Sequence, residues 1–149
     1  MSDLPSPTSS RLGSSSSRNW PGRVAAGVRI LLGLLFIAAG VPKFTAHATW
    51  VSQFEHWQVP LPGLSVYAVG GLEVFGGILL ALGVGSTLLA TLFVIDMIGA
   101  LLFAGTRDGL AYIIPPLVYG IPSLLFAIFG GGAWQLRPLP PLRRLLTPA

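Results

Sequence analysis

Four apolar stretches, residues 24–41, 64–82, 87–104 and 110–129, dominate the chain, and only Arg29, Glu73 and Asp96 interrupt them with charge. A helix needs about 17–25 residues, at roughly 1.5 Å of rise each, to cross the hydrocarbon of a bilayer. In that medium the backbone must satisfy its own N–H and C=O groups, and a helix does so within one segment. Composition points to the same solvent. Charged residues make up 9% of the chain and hydrophobic ones 52%, where a soluble domain carries about 25% charge. The sequence therefore predicts an all-α fold: an integral membrane four-helix bundle in contact with the lipid bilayer.

The connections add detail. Gly83, Val84, Gly85 and Ser86 are all that separates the second and third stretches, which forces an antiparallel hairpin. Pro115 and Pro116 are expected in the first turns of the fourth span, where a missing N–H costs little, and Pro122 should kink that helix at its middle. Between the first two spans, Trp50, Val51, Phe54 and Trp57 recur at helical spacing. That pattern predicts a short interfacial helix, and fits a packed lid over the bundle equally well. Residues 1–20 form a Ser-rich stretch with little to bury and read as a disordered tail. Residues 21–135 then form the membrane domain and 136–149 a basic, Pro-rich tail. Ala46-His47-Ala48 resembles a signal-peptide cleavage site, but the preceding apolar run is long and contains Arg29.

Six of the nine lysines and arginines fall on the side shared by the two termini, and only Lys43 and Arg107 fall on the other. The positive-inside rule then places both termini in the cytoplasm, in a multi-pass protein of the cell (inner or plasma) membrane. Trp20 and Trp134 would mark the inner interface, Trp50 and Trp57 the outer one. The net charge of +4 is spread along the ends of the spans, which argues against nucleic-acid binding.

Each charge inside a span costs at least about 2.5–3.5 kcal/mol near the bilayer centre unless it gains a partner, water or a proton. Counted along their helices, Glu73 and Asp96 lie at similar depth, with Arg29 within reach. The expectation is an Arg29–Glu73 pair, with Asp96 protonated or hydrogen-bonded. Lys43, at the outer boundary, is expected to be too far up to be their first partner. These residues form either a register lock, a polar pocket for a headgroup or quinone, or a proton path. The glycines around Glu73 and along the first span predict close helix packing. With no cysteine, the chain supplies no thiolate for disulfide exchange, iron–sulfur ligation or a metal. His47 and His56 lack the spacing of a haem or zinc site, so no metal site and no catalytic residue is predicted.

The run from Arg29 through Gly33, Phe36 and Gly40 to Lys43 resembles the first span of DoxX-like proteins. Leu72-Glu73-Val74-Phe75-Gly76-Gly77, followed by a Leu-rich run to Gly83, resembles that family's second-span motif. The resemblance implies a four-helix membrane bundle and aligns Arg29, Lys43 and Glu73 with the family's polar positions; it leaves Asp96 unmatched. Members include subunits of a thiosulfate:quinone oxidoreductase and proteins tied to membrane oxidoreductase complexes. The expectation is a non-catalytic membrane subunit or scaffold of a quinone-linked complex, with no covalently bound cofactor, a partner redox or membrane protein, and homo-oligomerisation left open. An assembly factor for another membrane protein and a small proton-coupled carrier are the alternatives.

Because the chain has no cysteine, single-cysteine variants report orientation without background. In intact cells, Ser14→Cys and Leu145→Cys should resist a membrane-impermeant maleimide, while Ser52→Cys reacts; labelling at the two termini would reverse the assignment.

Overall fold

The computed structural model describes residues 20–130. The expected Ser-rich tail before Trp20, the basic tail from residue 136, and Trp134 lie outside the described residues. Within them the chain forms five helices: α1 (Trp20–Thr45), α2 (His47–His56), α3 (Pro62–Leu82), α4 (Ser86–Asp108) and α5 (Leu110–Phe129). Four of these, all but α2, are long and apolar enough to cross a membrane. The all-α, four-span architecture is the one that the hydropathy pattern requires, and each span covers its predicted stretch.

The α3–α4 joint is the tight hairpin expected from Gly83–Ser86. Gly83 and Gly85 both adopt positive φ, 76° and 59°, which glycine takes without a Cβ penalty. The main packing is pairwise: α1 lies along α3, and α4 along α5. Towards the termini the bundle has a regular core, in which Leu32 and Phe36 of α1 meet Leu80, Leu89, Phe93, Met97 and Phe126. Phe36 and Phe93 stack with ring centroids 3.6 Å apart. Outside that core, Leu34, Ile95 and Leu125 stand more than half exposed, as helices solvated by acyl chains require.

Glycine lets α1 and α3 approach to backbone contact. A Cβ on Gly33 would lie 2.5 Å from the Gly77 carbonyl oxygen, and one on Gly77 would lie 2.6 Å from the Gly33 carbonyl oxygen. Further up, Gly40 abuts Gly70, Glu73 and Val74. Lipid offers helices no hydrophobic reason to associate, so this close contact carries much of their affinity.

Three features refine the picture drawn from sequence. Helix α2 forms between the first two spans, and its apolar side turns inward: Phe54, and Trp57 just past its end, are buried with Val66 and Ala104. The short helix expected between spans 1 and 2 thus also packs as a lid over the bundle, with Trp57 buried in the contact. Pro115 and Pro116 lie in the sixth and seventh positions of α5, past its first turn. Neither supplies an N–H, so the carbonyls of Ala111 and Tyr112 lose their usual i→i+4 donors. Finally, both α3 and α4 contain a π-helical turn, at Leu72–Gly76 and Leu101–Gly105. Such wider turns are rare and concentrate at functional sites.

Gly33→Val should destabilise the bundle by about 1–3 kcal/mol or more, because the added atoms meet backbone that cannot yield. Gly27→Ala, whose Cβ meets nothing within 4 Å, should leave stability unchanged or raised. Unfolding in mixed micelles by rising dodecyl sulfate measures both, and equal stability of the two variants would refute the close seam.

Candidate functional site

At the α2 end the helices part around a cavity of about 480 Å³. The irregular segments are the ones that border it. The π turn of α3 contributes Glu73, that of α4 contributes Phe103 and Ala104, and the proline-interrupted start of α5 contributes Tyr112, Pro115 and Pro116. Helix α2 adds Trp50 and Phe54, and the residue that follows it adds Trp57. The walls are thus largely apolar and aromatic. The charged groups that border them are Lys43, Glu73 and Asp96.

Lys43 and Glu73 form a buried ion pair, with Nζ 2.5 Å from Oε2 and both side chains almost fully enclosed. The same Nζ donates to the Ala39 carbonyl at 3.2 Å and sits over the Trp50 ring, 4.6 Å from its centroid. A desolvated ammonium over an indole face gains a further cation–π attraction. Asp96, on α4, lines the same cavity. Its Oδ2 is shielded from solvent and has no hydrogen-bond partner.

The expected Arg29–Glu73 pair does not form; Glu73 is taken by Lys43. The helix register explains why. With Gly40 against Gly70 and Glu73, and Gly33 against Gly77 and Ala81, Arg29 lies below the level of Ala81. That is about 12 Å along α3 from Glu73. Lys43, conversely, is not beyond reach: its Cβ lies beside Gly70, less than one turn of α3 from Glu73. Helical side chains also lean towards the N-terminus, which carries the long lysine back down α1 to its Ala39 carbonyl. Arg29 is 1% exposed and belongs to the opposite half of the bundle, one turn from Leu32. Of the four charges singled out from sequence, three converge on the cavity and Arg29 does not. Asp96, expected to be protonated or hydrogen-bonded, makes no hydrogen bond among the described residues.

Sequence reasoning missed the aromatic walls. Trp50 and Trp57 had the helical spacing of one face, but nothing in that spacing says that the face turns inward. A second polar cluster holds α2 in place. Asp108, at the end of α4, accepts from Trp57 Nε1 at 2.5 Å and lies 2.9 Å from His56 Nε2. Arg107 donates to Gln58 Oε1 at 2.7 Å. His56 is therefore a tether between α2 and α4. His47, the other histidine, stacks on Tyr67 with centroids 3.9 Å apart. No group of three His, Asp or Glu residues is placed to hold a metal among the described residues.

Residues 24–106 match the family model for DoxX, and the chain belongs to the DoxX family. That match contains Lys43, Glu73 and Asp96 but stops before α5. A curated relative, named "Putative oxidoreductase CatD", of Bacillus subtilis (strain 168), is 27% identical over 75 residues, which is 50% of this chain and 54% of that protein. The chain thus aligns with about half the length of that relative. No solved structure matches.

Removing one partner of a buried ion pair costs about 3–5 kcal/mol, because the survivor keeps its desolvation penalty. Lys43→Met and Glu73→Gln should each destabilise the bundle on that scale, and the double variant should recover much of the loss. A double-mutant cycle by chemical unfolding should give a coupling of about 3 kcal/mol or more for Lys43–Glu73, at or above the top of the usual range for contacting residues. The same cycle on Arg29→Ala and Glu73→Gln should give almost none; the reverse result would restore the pair expected from sequence.

Proposed function

We propose that this DoxX-family protein is a membrane-embedded, non-catalytic subunit or scaffold of an oxidoreductase assembly, and that its cavity holds a quinone-type ligand. The observation that carries the reading is one cavity combining apolar, aromatic walls with a single charged end. Its volume, about 480 Å³, falls within the roughly 300–1,000 Å³ of small-molecule sites. A flat ring with polar substituents and an apolar tail fits that division of surfaces. The ring packs among Trp57, Phe103 and Tyr112, its polar edge meets Lys43, Glu73 and Asp96, and the tail stays with aliphatic walls and lipid.

Electron transfer takes place on a partner in this reading, since the chain has no cysteine for an iron–sulfur centre or a redox disulfide. The name of the Bacillus subtilis relative is consistent with such an assembly and says nothing about its ligand. The protein sits in the cell membrane with both termini cytoplasmic, so the cavity and α2 lie towards the outer leaflet.

Purification of the tagged protein from its native membrane in mild detergent, followed by mass spectrometry of proteins and lipids, tests the assignment. The expected result is a dehydrogenase-type partner and co-purifying quinone. Ala100→Phe, which adds a ring to the cavity wall, should lose the quinone at least about tenfold while the bundle stays folded. A non-redox partner with bulk lipid alone would transfer the assignment to an assembly factor for another membrane protein.

A further inference from the structure

Helix α2 is the short wall of the cavity, and both of its ends are built as joints. At one end the single residue Ala46, with φ −124° and ψ 44°, interrupts the helix between α1 and α2. At the other, Gln58 and Leu61 hold positive φ, 58° and 50°. In that region the Cβ crowds the following carbonyl, and neither residue is a glycine. Both therefore carry backbone strain in the position that α2 occupies. A return of either to negative φ redirects the chain between α2 and α3. A few residues that absorb such a change at the end of an element are enough to swing it. The strain is opposed by polar bonds from the end of α4. Asp108 Oδ2 accepts from Trp57 Nε1 at 2.5 Å, Asp108 Oδ1 lies 2.9 Å from His56 Nε2, and Arg107 donates to Gln58 Oε1 at 2.7 Å. The His56 side chain is 61% exposed, so water competes for its bond directly. Fastenings of this kind open more readily than the buried packing around Phe36 and Phe93.

We infer that α2 is a hinged lid, latched closed by the bond from Trp57 to Asp108, and that release of this latch opens the cavity on the α2 side of the membrane. Trp57 couples the latch to the wall. Its indole N–H is held by Asp108, while its ring borders the cavity and stands against Tyr112 with centroids 5.2 Å apart. When the N–H lets go, the ring leaves with the end of α2 and the wall parts between α2 and α4. Asp108 itself is not among the residues that border the cavity. It acts on access and touches no occupant. The lid is a property of the wall, so it stands or falls separately from the quinone-type reading.

Ala100→Cys places a thiol on the cavity wall of a chain that has no other. The test follows its reaction with a charged, water-soluble maleimide by mass spectrometry, using the full-length protein in lipid nanodiscs, where both faces are open to the reagent. When opening and closing outpace the reaction, the rate reports the open fraction. Asp108→Ala removes both acceptors of the latch; Trp57→Phe removes only the N–H and keeps a ring in the wall. Each should raise the rate at least about tenfold, because a hydrogen bond to a charged group is lost. Ala90→Cys, whose parent residue is 0% exposed in the regular core, should stay unreactive in the same two backgrounds. That result separates opening of α2 from unfolding of the bundle. Equal rates at position 100 with and without the latch would overturn the inference. So would equal acceleration at positions 100 and 90, which would assign the effect to loss of the whole fold.

Discussion

The backbone contact between α1 and α3 is the constraint on which the rest of the bundle depends. Gly33 against Gly77 and Gly40 against Gly70 fix the two helices at one distance and one register. Close contact in lipid works through dispersion at short range, so a slip of one turn would lose most of it. The register in turn decides which cation Glu73 can meet. It brings Lys43 to the carboxylate and holds Arg29 away in the other half. A carboxylate this deep needs a partner charge, water or a proton, and glycines that touch neither residue's charged atoms determine which cation Glu73 receives.

The bundle divides into two halves of different character. Towards the termini, regular helices interlock through Phe36, Phe93 and Phe126 and leave little space. Towards α2, three of the spanning helices depart from regular geometry: two by a π turn, one by paired prolines. A widened turn pushes its residues outward and a proline ring displaces the preceding turn, so neither packs as closely as ordinary helix. The cavity lies where these departures coincide. Its polar end is held by Lys43 and Glu73, an arrangement whose stability is local and whose desolvation is borne by the surrounding packing.

Much of the architecture could be read from the residues. The four spans, the Gly83–Ser86 hairpin and the shared depth of Glu73 and Asp96 follow from length, hydropathy and rise per residue, all properties of a single helix. The Lys43–Glu73 pair could not be read that way. It depends on the register between α1 and α3, a relation between two helices that the counting of each from its own end does not contain. The inward turn of α2 was open for a similar reason: Trp50, Phe54 and Trp57 suit lipid or a protein surface equally. The π turns left no mark at all, since Leu72–Gly76 has the composition of ordinary helix. Glycine spacing carried the missing register: pairing Gly33 with Gly77 sets Lys43 nearer than Arg29 to the level of Glu73, and the lean of its side chain back along α1 covers the remaining distance.

Helix α2 is joined to α1 through Ala46 at one end and fastened to α4 at the other by the bonds of His56, Trp57 and Gln58 to Asp108 and Arg107. These fastenings are made between protein groups and do not need an occupant. A molecule entering between α2 and α4 would have to break them on the way in, and again on the way out. The same barrier enters both rates and cancels from their ratio. For a ligand that entered by this route, the tether at Asp108 would set how long it stays and how often it is exchanged, largely independently of how strongly the cavity holds it.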